Sequence, residues 1–231
     1  MVRLFIDLPL SEGQTVTLGR DQSHYLTGVM RLGTGDAVEV FDGRSGAYRA
    51  SLAGGGRRAV ALAVGARTAP LREPPDVWLI FAPIKKARTD FIVEKAAELG
   101  AARILPARTE RTNSERVRRE RLQAHAVEAA EQCGGTFVPD VAEMAPLEAV
   151  LESLGDRALI FCDEALAGQD GADLPPAPAA ILIGPEGGFS EAEREMLRGR
   201  AHAVSLGPRV LRADTAAVAA LTLWQARRGD W

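Results

Sequence analysis

Residues 15–19 (TVTLG), 36–43 (DAVEVFDG), 47–53 (AYRASLA) and 59–68 (AVALAVGART) alternate apolar and polar positions, with Gly-rich turns such as LGTGD and DGRSG between them. A period of two residues marks half-buried strands. Their spacing predicts a compact barrel or sandwich of roughly five or six strands. A Pro-rich polar stretch, APLREPPD (69–76), then reads as a linker between domains. The chain therefore divides into a first domain over 1–70, a linker over 71–76 and a second domain over 77–231.

Beyond the linker the rhythm changes. DVWLIFAPI (76–84) is almost continuously apolar, as a strand buried on both faces of a parallel sheet must be. RTDFIVEKAAELG (88–100) predicts a helix with Thr89 or Asp90 as its cap, Ile92, Ala96 and Leu99 on one face and Gly100 at C′. ARILPAR (102–108) is a second strand, and SERVRRERLQAHAVEAAEQC (114–133) a long helix capped by Asn113 or Ser114 and closed by Gly134 and Gly135. TFVPDV (136–141), APLEAVLESLG (145–155) and RALIFCDE (157–164) continue the alternation, and a Pro-rich loop, DGADLPPAPAA (170–180), leads into the strand of ILIGPEGGFS (181–190). SEAEREMLRGR (190–200) carries a capping box from Ser190 to Glu193. AVSLG (203–207) is a last strand and DTAAVAALTLWQARR (214–228) a last helix, with Asp214 or Thr215 as cap. Strand alternating with helix predicts an α/β domain with a mostly parallel sheet.

In open α/β sheets ligands bind beyond the carboxyl ends of the strands. GPEGG (184–188) and LGPRVLRADT (206–215) occupy that kind of position. Gly187 and Gly188 can take positive φ and let a ligand approach the backbone, while Pro185 stiffens the turn. Exposed backbone N–H and C=O groups suit the edge of a purine. No phosphate loop and no dinucleotide fingerprint is present, and Glu186 would repel phosphate but attract a cation. On these residues alone, a plain Gly-rich turn with a surface Glu stands equally well.

Composition changes this picture little. A formal net charge of −3 gives no global basic field, although an RNA site needs only a local one. The first 75 residues carry nine Arg against seven acids, a local balance of +2 that leaves −5 for the rest. Two cysteines, Cys133 and Cys162, make neither a disulfide framework nor a cysteine zinc site, and His24, His125 and His202 lack metal-ligand spacing, so no metal is expected. With no signal-peptide pattern and no long apolar run, the expectation is a soluble cytoplasmic protein.

Taken together, HYLTGVMRLGTGDAVEVFDG, KKARTDFIVEKAAELGAARILPARTERT, EAAEQC, LIGPEGGFSEAE and SLGPRVLRADTAAVAAL resemble the ribosomal RNA small subunit methyltransferase E family of the SPOUT superfamily, nearly end to end. The resemblance implies a PUA-like N-terminal β-barrel and a C-terminal α/β domain with a trefoil knot. It also implies a homodimer that methylates N3 of a uridine in small-subunit ribosomal RNA with S-adenosylmethionine and without metal. The donor would be held by Leu182, Gly184, Pro185, Glu186, Gly187 and Gly188 on one loop, and by Leu206, Gly207, Val210, Leu211 and Arg212 on the other. Two departures stand out: Asp214 replaces a common Glu, and Gly135 stands where the family tends to carry Arg.

Methylation at a uridine N3 needs in-line positioning, a donor or cation for the flanking carbonyl oxygens, and a route for the proton. Arg212 is the candidate for the electrostatic role, against a salt bridge to Asp214 or Glu186. Glu186 and Asp214 are candidate proton acceptors, against helix capping for Asp214 and transfer to water. Arg108 and Arg111, just past a strand end, and His24 and Arg31 in the barrel are candidate RNA contacts. The Arg-rich run 115–121 reads more simply as a solvated, ion-paired helix, and Trp78 and Trp224 as core or dimer packing. Two other readings remain: a ribosome-assembly RNA-binding protein without catalysis, and a SPOUT methyltransferase acting on another nucleotide.

Overall fold

The computed structural model describes residues 1–56, 59–113, 117–168 and 174–231. Two compact units emerge, one of Met1–Glu73 with Ala130–Phe137, the other of Pro74–Ala129 with Val138–Trp231.

The first unit holds β1 (Arg3–Phe5), β2 (Thr15–Thr17), α1 (Arg20–His24), a π-helical continuation (Tyr25–Val29), β3 (Ala37–Phe41), β4 (Ala47–Gly56) and β5 (Ala59–Ala69). Its sheet runs β1-β3-β4-β5-β2, antiparallel except where β1 lies parallel to β3. The period of two does its work here: Val38 and Val40, and Val60, Leu62 and Val64, turn inward around Leu26. β1 has no alternating run of its own. Its three residues are held in register Arg3↔Glu39 to Phe5↔Phe41, and the Phe5 N–H donates to the Glu131 carboxylate at 2.8 Å. In the turn after β3, Asp42 accepts the N–H groups of Arg44 and Ser45, the Ser45 hydroxyl and the Leu10 N–H. Burial works to raise its pKa, but these donors win and hold the carboxyl below its ordinary value.

The second unit holds β6 (Val77–Phe81), α2 (Lys86–Glu98), β7 (Arg103–Arg108), α3 (Arg119–Cys133) up to Ala129, β8 (Asp140–Val141), β9 (Ala145–Pro146) and α4 (Leu147–Glu152). There follow β10 (Ala158–Cys162), β11 (Ala179–Ile183), α5 (Glu191–Arg198), β12 (Ala201–Val204) and α6 (Ala213–Arg228). The sheet is parallel throughout, in the order β12-β10-β11-β6-β7-β8, with β9 also pairing with β7. Val77, Leu79 and Phe81 of β6 pack toward Ile92, Leu122 and Trp224, whereas Ile80 packs toward Leu151, Leu182 and Leu197. A strand covered by helices on both faces needs apolar residues at every position, which explains the unbroken run.

Several boundaries differ from the sequence expectation. α2 starts at Lys86 with Lys85 as N-cap, so Thr89 and Asp90 lie inside it. The Thr89 hydroxyl is instead buried, donating to the Ile84 carbonyl and accepting its N–H, both at 3.0 Å. Asp90 faces Arg121 and forms an ion pair with it. α3 starts at Arg119, so Asn113 does not cap it, and Ser114 to Arg116 lie outside the described residues, as does the start of the Pro-rich loop. α6 takes Arg212, not Asp214 or Thr215, as N-cap. Asp214 sits in the first turn, where the positive helix end favours a carboxylate, and is drawn to Arg88 of α2. The last strand ends at Val204, leaving Ser205–Gly207 as turn. The capping box at Ser190 and Glu193 and the positive φ of Gly100 are as expected. Trp224 is fully buried, and its indole N–H donates to the Pro175 carbonyl at 3.0 Å. Trp78 instead carries the guanidinium groups of Arg103 and Arg157 near its ring.

Candidate donor and RNA site

β12, β10 and β11 are neighbours in a parallel sheet, so their carboxyl ends emerge side by side. The loops that leave them are tied together. Asp163 N–H donates to the Val204 carbonyl at 3.2 Å and Gly168 N–H to the Gly207 carbonyl at 3.0 Å. Within GPEGG the Gly188 N–H folds back to the Pro185 carbonyl at 2.9 Å, and Gly188 takes φ +66°. Together these loops enclose a cavity of about 320 Å³, within the roughly 300–1,000 Å³ of small-molecule sites.

Gly184, Pro185, Glu186, Gly187 and Gly188 line the cavity from one side. Leu206, Gly207, Val210, Leu211 and Arg212 line it from the other. Leu182 does not; its side chain is fully buried on the opposite face of the sheet, near Phe161 and Phe189. A third wall, absent from the sequence reading, comes from Cys162, Asp163 and Glu164 at the end of β10. The signal was present in RALIFCDE, whose two acids stand just past a strand end. Burial pushes the Cys162 thiol up to about 12, so it stays protonated and is no nucleophile.

The charges divide into paired and free. Asp163 and Glu164 are both held by Arg194 of α5. Burial works to lower the Arg194 pKa, but the two carboxylates carry it above its ordinary value. Asp214 is held by Arg88 and does not line the cavity. Glu186, Arg209 and Arg212 line it, are exposed, and have no ion-pair partner among the described residues. The expected alternative for Arg212, a salt bridge to Asp214 or Glu186, is therefore not formed.

The RNA candidates fall in three places. Arg111 donates to the Gly187 carbonyl at 2.8 Å, and the Glu110 N–H donates to the Glu193 carboxylate, also at 2.8 Å. Arg111 thus braces the GPEGG loop. Arg108 is exposed at the end of β7 beside a second cavity of about 460 Å³, shared with Thr109, Glu148 and Met196. In the first unit His24 lies over Gly28, where an added Cβ would come within 2.7 Å of the ring, and Arg31 takes φ +57°. Both side chains are exposed. Gly135 accepts a 2.8 Å hydrogen bond from Arg3 through its carbonyl. Arg119 and Arg121 are spent on Asp140 and Asp90. Lys85 and Lys86, which sequence reasoning passed over, are exposed just past β6, whose following residue Ala82 donates to the Ile183 carbonyl at 3.0 Å.

Residues 72–225 match the RNA methyltransferase domain family, and residues 18–64 the RNA methyltransferase PUA domain family. The chain is 35% identical over 225 residues to the ribosomal RNA small subunit methyltransferase E of Synechocystis sp., covering 90% of this chain and 71% of that protein. It is 26% identical over 227 residues to the protein of the same name from Rickettsia conorii, covering 95% and 93%. The crystal structure of a ribosomal RNA small subunit methyltransferase E from Neisseria gonorrhoeae, bound to S-adenosyl methionine, superposes with a TM-score of 0.90. Its identity is 28%, with 100% of this chain and 99% of that one covered.

Proposed function

The chain belongs to the ribosomal RNA small subunit methyltransferase E family, and on that premise we propose that it methylates N3 of a uridine in small-subunit ribosomal RNA with S-adenosylmethionine. The observation that carries the reading is the cavity enclosed by the GPEGG loop and the 206–212 loop, with the Arg212 guanidinium at its wall and, among the described residues, no acid holding it. The residues fit such a donor: backbone amides for the purine, apolar Val210 and Leu211, and Glu186 for a cation.

The bound sulfonium supplies an electrophilic methyl, so the chain itself has only to position the base and manage its charge. Loss of the N3 proton leaves negative charge on the flanking carbonyl oxygens, and the Arg212 fork, with no acid partner among the described residues, is available to them. Glu186 takes the proton in this reading, supported by its lining the cavity while Asp214 is held by Arg88 and does not. Lys85, Lys86, Arg108 and Arg209 offer phosphate contacts around the catalytic unit, and His24 and Arg31 do so on the PUA-like unit. The protein works in the cytoplasm as a homodimer, and its sheet order, with β11 between β10 and β6, is compatible with the family's knot.

Mass spectrometry of small-subunit RNA from cells lacking the protein tests the substrate. One N3-methylated uridine disappears and returns when the gene is restored. Persistence of every such uridine removes the assignment.

A further inference from the structure

Resting on the reading of Arg212 as the group that meets developing charge, we propose that Arg88 is a positioning residue for the reaction. Through Asp214 it sets the first turn of α6, and with that turn the Arg212 guanidinium. Ala213 and Ala216 of the turn line the cavity, whereas Asp214 and Arg88 do not. Both oxygens of Asp214 are in use: Oδ2 accepts from the Arg88 guanidinium, and Oδ1 accepts the Thr215 N–H at 3.0 Å. The Arg212 carbonyl accepts the Ala216 N–H at 2.7 Å. Its side chain makes no cap bond, and among the described residues no acid holds it. The guanidinium is therefore placed by its backbone, which this turn fixes.

Arg88 itself stands on a braced segment. The Ala82 N–H donates to the Ile183 carbonyl at 3.0 Å, at the strand end that opens into the GPEGG turn. Two residues on, the Thr89 hydroxyl holds both the N–H and the carbonyl of Ile84, and the Arg88 N–H donates to the Lys85 carbonyl at 2.9 Å. One series of contacts thus runs from the GPEGG wall, through residues 82–89 and the Arg88–Asp214 pair, to the 206–212 wall. At the far end of the two helices the Gln225 amide of α6 donates to the Leu99 carbonyl after α2, at 2.7 Å. Between these ties Ile92, Ala96, Ala217 and Leu221 share one apolar cluster. Apolar contact has no direction, so the ion pair is what fixes the cavity end of α6 against α2.

Magnitudes separate this role from plain stabilisation. An acid in the first turn is favoured by the positive helix end alone, without Arg88. The Arg88 side chain is 38% exposed and that of Asp214 12%, and a partly exposed pair contributes little to stability. Rate is more sensitive, because a misplacement of about 1 Å at a group that meets the reacting atoms costs up to about 10²-fold. Loss of the pair therefore acts on turnover before it acts on the fold.

Transfer of labelled methyl from S-adenosylmethionine to small ribosomal subunits, taken from cells lacking the protein, reads kcat whichever nucleotide accepts. Arg88→Ala lowers kcat about 10–10²-fold, with the donor Kd by calorimetry within about threefold of wild type, and Arg88→Lys restores part of the rate. The deciding arm is a double-mutant cycle. In an Arg212→Ala background Arg88→Ala lowers kcat by no more than about threefold further, because the group it positions is gone. Asp214→Asn, which keeps an acceptor for the Thr215 N–H, behaves as Arg88→Ala in both backgrounds and carries the cycle if Arg88→Ala does not fold. Equal losses in the two backgrounds overturn the proposal and leave Arg88 a structural residue. An unchanged kcat in Arg88→Ala and Asp214→Asn overturns it as well. If Arg212→Ala alone leaves kcat unchanged, the reading of Arg212 falls and this inference with it, while the donor site stands. If the wild type transfers no methyl, the proposed function itself falls, and both go with it.

Discussion

Arg212 stands at the cavity wall as the N-cap of α6, exposed and, among the described residues, without an acid to hold it. A guanidinium left free in that position is available to charge that develops only during reaction. Arg212→Ala should therefore lower turnover by about 10²–10³-fold, with the donor Kd changed less than about threefold; equal losses in both would assign it to donor binding instead. Gly188 has two reasons to be glycine: its φ of +66° and the Glu164 carboxylate against it. Gly188→Ala adds about 1–2 kcal/mol of left-handed strain and pushes Glu164 away. Donor affinity should fall about tenfold or more by calorimetry, and an unchanged Kd would separate the turn from the site. Residue chemistry of this kind was only half legible. The sequence singles out Glu186 and Arg212 because they sit in unusual loops. Arg88 and Arg194 look like ordinary helix cations until the fold delivers their acids.

At the scale of elements, local signals read well and long-range ones do not. The capping box of α5 and Gly100 after α2 are decided within four residues of chain, and both are as expected. Thr89 and Asp214 look like caps, yet tertiary partners, Ile84 and Arg88, claim their side chains. β1 is too short to show a period and exists through its pairing with β3 and the Glu131 carboxylate. Asp163 and Glu164 enter the site because β10 lies between β11 and β12, an order no local pattern encodes. The turn after β3 gives an element-scale prediction. Asp42 titrates below its ordinary value in the folded chain, so its contribution is full above about pH 4 and is lost as pH falls through the folded pKa. Asp42→Asn should cost about 1–3 kcal/mol near neutrality and flatten the acid side of a stability profile taken by thermal melts. An acid limb identical to that of the wild type would contradict this.

Over the whole molecule, the net charge of −3 says little about local charge: Lys85, Lys86, Arg209 and Arg212 are all exposed, at helix starts or in loops that follow strands of the second unit's sheet. Reversing Lys85 and Lys86 to Glu should weaken RNA binding and reduce the salt-dependence slope by roughly 1.5–2 for two lost phosphate contacts, with donor affinity unchanged. A slope equal to that of the wild type would move the RNA elsewhere. The parallel sheet, by placing three strand ends together, makes one cavity out of segments up to fifty residues apart in roughly the way the switch-point rule describes. That convergence is the central claim, and a crystal structure with S-adenosylmethionine bound tests it most directly. The account predicts density for the adenosyl group between the GPEGG turn, the 206–212 loop and the Asp163–Glu164 wall. Density for the donor at any other place on the chain would contradict it.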